Sequence, residues 1–280
     1  MIVVILIFLG LCLGSFVNAL VWRLRQQELM AKSSKPKANN SQFSILKGHS
    51  MCPNCEHQLS APDLVPVLSW VFLRRKCRYC KKPISWQYPV VELAMATVFV
   101  SSYIFWPGGL HSHGNLVLFI AWLAASVGLL ALLVYDFRWM LLPSKIIYPT
   151  LVIAAAGRLV YIIGYEPNRW HGLFQWILSV AVASGLFWLI FMSSKGTWIG
   201  YGDVRLGLIT GTVLADPVKS FLMIFAASLL GLMFVLPTVI LKRKGLASRI
   251  PYGPFLITAT TIVLLCGQSV IDWYNRLLLV

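Results

Sequence analysis

Eight apolar runs dominate the chain, at about 2–22, 90–106, 115–135, 146–164, 172–192, 204–215, 218–241 and 255–271. Most approach the ~20 residues that carry a helix across a bilayer. The polar segments between them alternate in charge. Loops 23–89, 136–145, 193–203 and 242–254 carry most of the Lys and Arg, whereas 107–114, 165–171 and 216–217 carry almost none and the tail 272–280 carries one. Basic loops stay on the cytoplasmic side. The pattern therefore predicts an all-α polytopic membrane protein of about eight spans, with the basic loops in the cytoplasm and both termini outside. The 204–215 run is short, so it is expected to be tilted, lengthened by its flanks or buried among other helices.

Residues 2–22, IVVILIFLGLCLGSFVNALVW, lack a basic leader region and a small-residue cleavage site. They are expected to be a retained transmembrane helix rather than a cleaved signal. The expected domains are helix 1 (1–22), a cytoplasmic tetracysteine domain (23–89) and a seven-helix membrane domain (90–280). KSSKPKANNSQ, residues 32–42, reads as a flexible loop. The sequence shows no internal repeat and no low-complexity tract.

Composition supports the membrane assignment: 58% of residues are hydrophobic and 12% charged, against about 25% charged in soluble domains. The net charge is +15, and twelve of the 24 Lys and Arg fall between Arg23 and Lys82. Clustered in one loop, that charge orients the chain and faces anionic lipid headgroups. It does not call for nucleic acid.

The first large loop holds CPNC (52–55) and CRYC (77–80), a C-x2-C-x21-C-x2-C pattern. Four thiolates close a tetrahedral shell around zinc, the structural kind of site. Cys52, Cys55, Cys77 and Cys80 are the candidate ligands. The alternatives are two disulfides, disfavoured on a cytoplasmic loop, or four idle thiols. Cys12 and Cys266 lie in apolar runs as small core residues, and His57 reads as a solvated neighbour of the cluster.

Nine acids occur in the chain, and ionisable groups at membrane depth mark functional sites. Asp136 ends the third run and Asp203 ends the glycine-rich loop GTWIGYGD (196–203), both at the cytoplasmic edge of the predicted topology. Two carboxylates brought close share one proton, so one activates water while the other donates to a carbonyl. Gly200 and Gly202 remove bulk beside Asp203, leaving room for a substrate backbone or a partner helix. The two aspartates meet if spans three and six pack together. The bland alternatives are an N-cap at Asp203 and an Asp136–Arg138 pair. Asp63, Glu28 and Glu56 read as soluble-loop acids and Asp216, Asp272 and Glu166 as outside ones. Glu92, at the start of span two, stands apart.

These motifs together resemble the bacterial type IV prepilin peptidases, the leader peptidase/N-methyltransferases of the Gly-x-Gly-Asp type. GSFVNALVWRL (14–24) is similar to the family's N-terminal signature, and residues 52–93 to its cysteine domain. Asp136 with Leu142-Pro143, GYGD (200–203) and RIPYGPF (249–255) complete the order. The resemblance implies that Asp136 and Asp203 are the catalytic pair. It implies removal of a basic leader from prepilins or pseudopilins after a glycine, then N-methylation of the new terminus with S-adenosylmethionine. It also implies a multi-pass protein of the bacterial inner membrane, in contact with lipid, serving type IV pili, type II secretion or DNA uptake. No glycine-rich nucleoside fingerprint is present. Two positions depart from the family pattern: Ser144 stands where Leu-Pro is usually followed by Asp, and Arg205 where Lys usually follows the second aspartate. The rival classes are a transporter, which would carry acids at mid-span and repeated halves, and a zinc-anchored pilus or secretion scaffold without chemistry.

Overall fold

The computed structural model describes residues 1–32, 50–240 and 250–278. The loop expected at 32–42 lies, past its first residue, outside the described residues, as does Arg249. Within them the chain is helical: α1 (Ile2–Lys32), α2 (Leu68–Phe72), α3 (Gln87–Ile104), α4 (His113–Trp139), α5 (Ser144–Gly164), α6 (Arg169–Ser193), α7 (Tyr201–Leu214), α8 (Pro217–Ile240) and α9 (Gly253–Leu278). A 3-10 turn spans Ala61–Leu64, and the β-structure consists of isolated bridges. Six helices, α1, α4, α5, α6, α8 and α9, are long and apolar enough to cross a membrane. The two remaining apolar runs correspond to α3, with 18 residues, and α7, with 14.

The chain divides into two compact units, Met1–Ser101 and Ser102–Val280. In the first, Gly10, Gly14 and Asn18 recur every fourth residue along one face of α1. A Cβ on Gly10 would lie 2.6 Å from the Ala96 Cα, and one on Gly14 2.5 Å from the Glu92 Cα. This is the small-xxx-small contact that lets membrane helices approach closely. One turn on, the Asn18 amide donates to the Tyr88 carbonyl (3.1 Å) and accepts from Gln87 Nε2 (3.2 Å). Helix α1 also runs ten residues past the predicted end at residue 22. Hydropathy marks where lipid stops, and the helix continues because Arg23 and Leu24 are still buried in the protein.

In the second unit, α7 explains its own shortness. At 1.5 Å per residue it reaches ~21 Å, short of the ~30 Å hydrocarbon layer. Eight of its 14 residues are buried. Gly207 and Gly211, again four apart, seat it on α6, where added Cβ atoms would come within 2.8 Å of Ala183 O and of Val180 Cα. Ser184 Oγ donates to Val204 O (2.9 Å) and Ser179 Oγ to Gly211 O (2.8 Å). Of the three expectations for this run, burial among other helices is the observed one.

Candidate active site

Asp136 lies in the last turn of α4, 5% exposed. Met140 closes that helix in a left-handed conformation, its N–H donating to Asp136 O (2.8 Å). The Asp136 side chain turns toward the start of α9, where Oδ2 accepts the Gly253 N–H at 3.1 Å. A helix N-terminus presents unpaired N–H groups and partial positive charge, which suits a carboxylate. Arg138 instead lies over the Trp139 ring, 5.1 Å from its centroid. The Asp136–Arg138 alternative therefore does not describe this aspartate.

Asp203 sits in the first turn of α7. The N-cap is Gly200, whose carbonyl accepts the Asp203 N–H at 3.0 Å, so Asp203 is three residues inside the helix and not its cap. Asp203 and Asp136 lie within Coulombic reach of each other, and Tyr252 within reach of Asp203. The structure brings the two acids to one end of the bundle by a route that differs from the expected one. Helices α4 and α7 do not pack along each other; both pack on α5 and α9. The acids meet because each stands at a helix end beside the start of α9.

The two glycines beside Asp203 differ. A Cβ on Gly200 would meet Asp203 Oδ2 at an ordinary 3.8 Å. One on Gly202 would stand 2.9 Å from Leu142 Cδ1. The space at Gly202 is thus taken by the chain's own α4–α5 turn. Two residues on, the departures from the family pattern prove to be partners: Arg205 Nη1 donates to Ser144 Oγ at 2.6 Å. The guanidinium also lies 5.2 Å from the Tyr201 ring centroid. Leu142 on Gly202 and Ser144 on Arg205 together latch the turn after Asp136 onto the helix bearing Asp203. If that latch sets the carboxylate spacing, Ser144→Ala and Arg205→Lys should each slow the chemistry the two carboxylates perform about tenfold. That is the size of one charge-assisted hydrogen bond. The double variant should lose little more than either single, measured as kcat in a double-mutant cycle.

In the first unit the four cysteine sulfurs lie within 4.8 Å of one another, and Cys52 Sγ and Cys80 Sγ are 3.9 Å apart. Ligands ~2.3 Å from a tetrahedral zinc would be ~3.8 Å apart, so the donor set fits that ion. Two matching turns build it. Cys52 N–H donates to His57 O (3.0 Å) and Glu56 N–H to Cys52 O (2.9 Å); Cys77 N–H donates to Lys82 O (2.9 Å) and Lys81 N–H to Cys77 O (3.1 Å). Glu56 and Lys81 both take positive φ, 55° and 58°. The two turns are a short structural repeat, so the expectation of no internal repeat does not hold here: the shared C-x2-C pair is its only sequence trace. Burial pushes the Cys52 thiol up to about 11. Burial opposes ionisation at Cys77 as well, but N–H groups of Cys80 and Tyr79 outweigh it and bring that thiol to about 7. His57 is exposed and stacks on Tyr79.

Four further acids have hydrogen-bond partners. Asp63 accepts from Ser60 Oγ (2.8 Å) and Arg78 Nε (2.8 Å), tying the 3-10 turn to the second cysteine turn. Burial works against its charge, but those donors hold its carboxyl below the ordinary value. Asp216 Oδ1 accepts the N–H groups of Val218 and Lys219 at the start of α8. Asp272 accepts from Gln268 Nε2. Glu92 is 4% exposed and accepts the N–H of Val67 at 2.7 Å, where the backbone holds φ 59°. That conformation is strained for a β-branched residue, so Glu92 clamps a tight turn of the cysteine unit onto α3. Glu92 is singled out in the sequence without a role; Gly253 is not singled out as a single residue. The signals for Gly253 are its place in RIPYGPF (249–255) and a Gly-Pro pair opening an apolar run; neither shows that its N–H meets Asp136.

The fold and the site thus define a polytopic helical membrane protein with two acids gathered at one end of a helix bundle and a separate four-cysteine unit. The Bacterial Peptidase A24 N-terminal domain profile matches residues 8–106, including all four clustered cysteines. The Type IV leader peptidase family profile matches residues 123–236, including both aspartates. A prepilin leader peptidase/N-methyltransferase of Stutzerimonas stutzeri is 30% identical over 278 residues, covering 95% of this chain and 91% of the relative. Proteins of the same name from Aeromonas salmonicida strain A449 and Bacillus subtilis strain 168 are each 28% identical, with coverage of 96% and 92%, and of 98% and 98%. No solved structure matches the chain. The chain belongs to the type IV leader peptidase family.

Proposed function

We propose that the protein cleaves the basic leader from type IV prepilins or pseudopilins at the cytoplasmic face of the inner membrane and N-methylates the new N-terminus. The observation that carries this reading is the placement of Asp136 and Asp203 at helix ends on one side of the bundle, within Coulombic reach, in a chain of this family. A prepilin presents a basic leader followed by an apolar helix, so its scissile bond lies at a membrane edge. The eight-span topology puts the aspartates at that edge on the cytoplasmic side, counting α3 and α7 as the two shorter spans.

The dyad holds one proton between its members and titrates as a unit. The ionised carboxylate removes a proton from a water held between the two. The resulting hydroxide attacks the scissile carbonyl carbon as the other carboxyl donates its proton to the carbonyl oxygen. The C–N bond of the tetrahedral diol then breaks: the protonated carboxyl gives its proton to the leaving amine, the ionised carboxylate takes a proton from a diol hydroxyl as it collapses to the carboxylic acid, and one proton again remains on the pair. Gly253 N–H orients Asp136, and the Leu142–Gly202 and Ser144–Arg205 contacts hold Asp203 opposite. S-adenosylmethionine supplies an electrophilic methyl group for the amine so exposed. The described residues of the cysteine unit form no glycine-rich nucleoside loop, so no residue is assigned to that donor. Cys52, Cys55, Cys77 and Cys80 would hold a structural zinc, which would order the cysteine unit.

Reconstituted protein incubated with a prepilin tests the reading by mass spectrometry. The expected product lacks the leader, and with S-adenosylmethionine it gains one methyl group at its N-terminus. An intact prepilin, from several substrates, would refute the cleavage assignment. Cys77→Ala should reduce stoichiometric zinc to background, read by elemental analysis. The loop has little core of its own and depends on metal. Methylation should be lost in this variant while more of the cleavage survives.

A further inference from the structure

At the end of the bundle opposite the aspartates, a cavity of about 210 Å³ opens between α4, α5, α7, α8 and α9. It would hold several waters' worth of volume, at ~30 Å³ each. Its charged lining residues are both cations, Arg158 and Lys219; Trp106, Trp122, Thr212 and Leu264 form much of the rest. Arg158 stands six residues before the end of α5, ~9 Å along the axis, a depth that in a spanning helix corresponds to the boundary between headgroups and acyl chains. A charge there calls for a partner. Tyr161 covers one face of the guanidinium, 5.1 Å from ring centroid to Cζ. Arg158 Nε is buried with no hydrogen-bond partner among the described residues.

The neighbouring acids do not supply that partner. Glu166 and Asp216 act on Arg158 electrostatically, yet among the described residues neither Arg158 nor Lys219 forms an ion pair. Asp216 spends Oδ1 on the backbone of α8, and Glu166 packs where a Gly172 side chain would stand. The Trp122 indole donor is committed elsewhere, to Ser102 Oγ (2.7 Å), and the Trp106 ring sits edge-on to Phe119. What remains open toward the cavity is two cations in a wall of mixed polar and apolar surface that includes two tryptophans. Tryptophan marks the membrane interface, and basic pockets between membrane helices take anionic headgroups.

We propose that this cavity binds a phosphate-bearing anion, either the headgroup of an anionic phospholipid or inorganic phosphate, through Arg158 and Lys219. The bound phosphate bridges α5 to α8 at the end of the bundle remote from the peptidase site. Neither residue belongs to the catalytic machinery.

The test uses delipidated, purified full-length protein. Thermal unfolding and native mass spectrometry are run with phosphatidylglycerol, with phosphatidylcholine and with inorganic phosphate at matched phosphate concentration. Phosphatidylglycerol should raise the melting temperature and remain as a bound adduct, and phosphatidylcholine should not. In Arg158→Gln/Lys219→Gln the adduct should weaken at least about tenfold, the effect of ~1.4 kcal/mol. Arg158→Lys should retain it, and prepilin cleavage at the wild-type rate should show that Lys219→Gln is folded. A shift of equal size with inorganic phosphate, lost in the double variant, supports the site and identifies the free ion as its ligand. The proposal is overturned if neither phosphate source stabilises the protein, or if the double variant responds as the wild type does.

Discussion

Asp136→Asn and Asp203→Asn are each expected to slow prepilin cleavage by at least about a thousandfold, the scale of losing a group that acts within a catalytic unit. Asparagine keeps the shape of either side chain and still accepts a hydrogen bond, so the bond from Gly253 N–H to residue 136 can persist. What it cannot do is exchange a proton. Folding should be unaffected, because a neutral amide replaces a carboxylate in a poorly solvated place. Zinc content should also stay at the wild-type level, since the cysteine cluster lies in the other compact unit. Cleavage measured in membranes, with zinc and thermal stability as controls, separates lost chemistry from lost structure.

Gly253→Ala is expected to have the next largest effect, about a hundredfold on kcat. Its Cβ would lie 2.6 Å from Asp136 Oδ2 and 3.3 Å from Cγ, and no unstrained structure holds the first of these distances. The carboxylate or the start of α9 must move by something near an ångström, and misplacement of that size costs about 10²-fold in rate. Because α9 packs on both α4 and α7, moving its first residue disturbs both acids. Gly185→Ala is the matching control: on α6, its Cβ would meet nothing within 4 Å. If Gly253→Ala cleaves like Gly185→Ala, Gly253 does not position Asp136.

Much of the architecture is legible in the sequence because membrane helices are written in long apolar runs. The helices α4, α5, α6 and α8 fall where hydropathy puts them, α9 starts there but runs seven residues past the expected end at 271, and the cysteine spacing announces a four-sulfur cluster. Helix α1 is misjudged at its end because the helix outlasts the lipid. The 204–215 run is ambiguous because hydropathy does not distinguish a lipid-facing helix from one buried in protein; the Gly207–Gly211 and Ser184 contacts with α6 decide it. The aspartates stand out because acids are rare in this chain. Gly202 stands out beside Asp203, but Leu142, which takes the space it leaves, does not, and Gly253 acts through a backbone N–H that no residue type announces. The Ser144–Arg205 bond joins positions 61 residues apart. Each looks like an isolated departure in the sequence, and only the fold shows them to be one contact. The transporter alternative expected acids near mid-span; Asp136 and Asp203 stand in the last turn of α4 and the first turn of α7 instead.

The most direct test of the central claim, that the two aspartates work as one unit, is single-turnover cleavage of a prepilin in proteoliposomes by wild type, each Asp→Asn variant and the double variant. Groups that share one proton fail together. The double variant should therefore be no slower than the slower single, with both singles near background. Wild-type cleavage by either single variant, or losses that multiply in the double, would contradict the dyad.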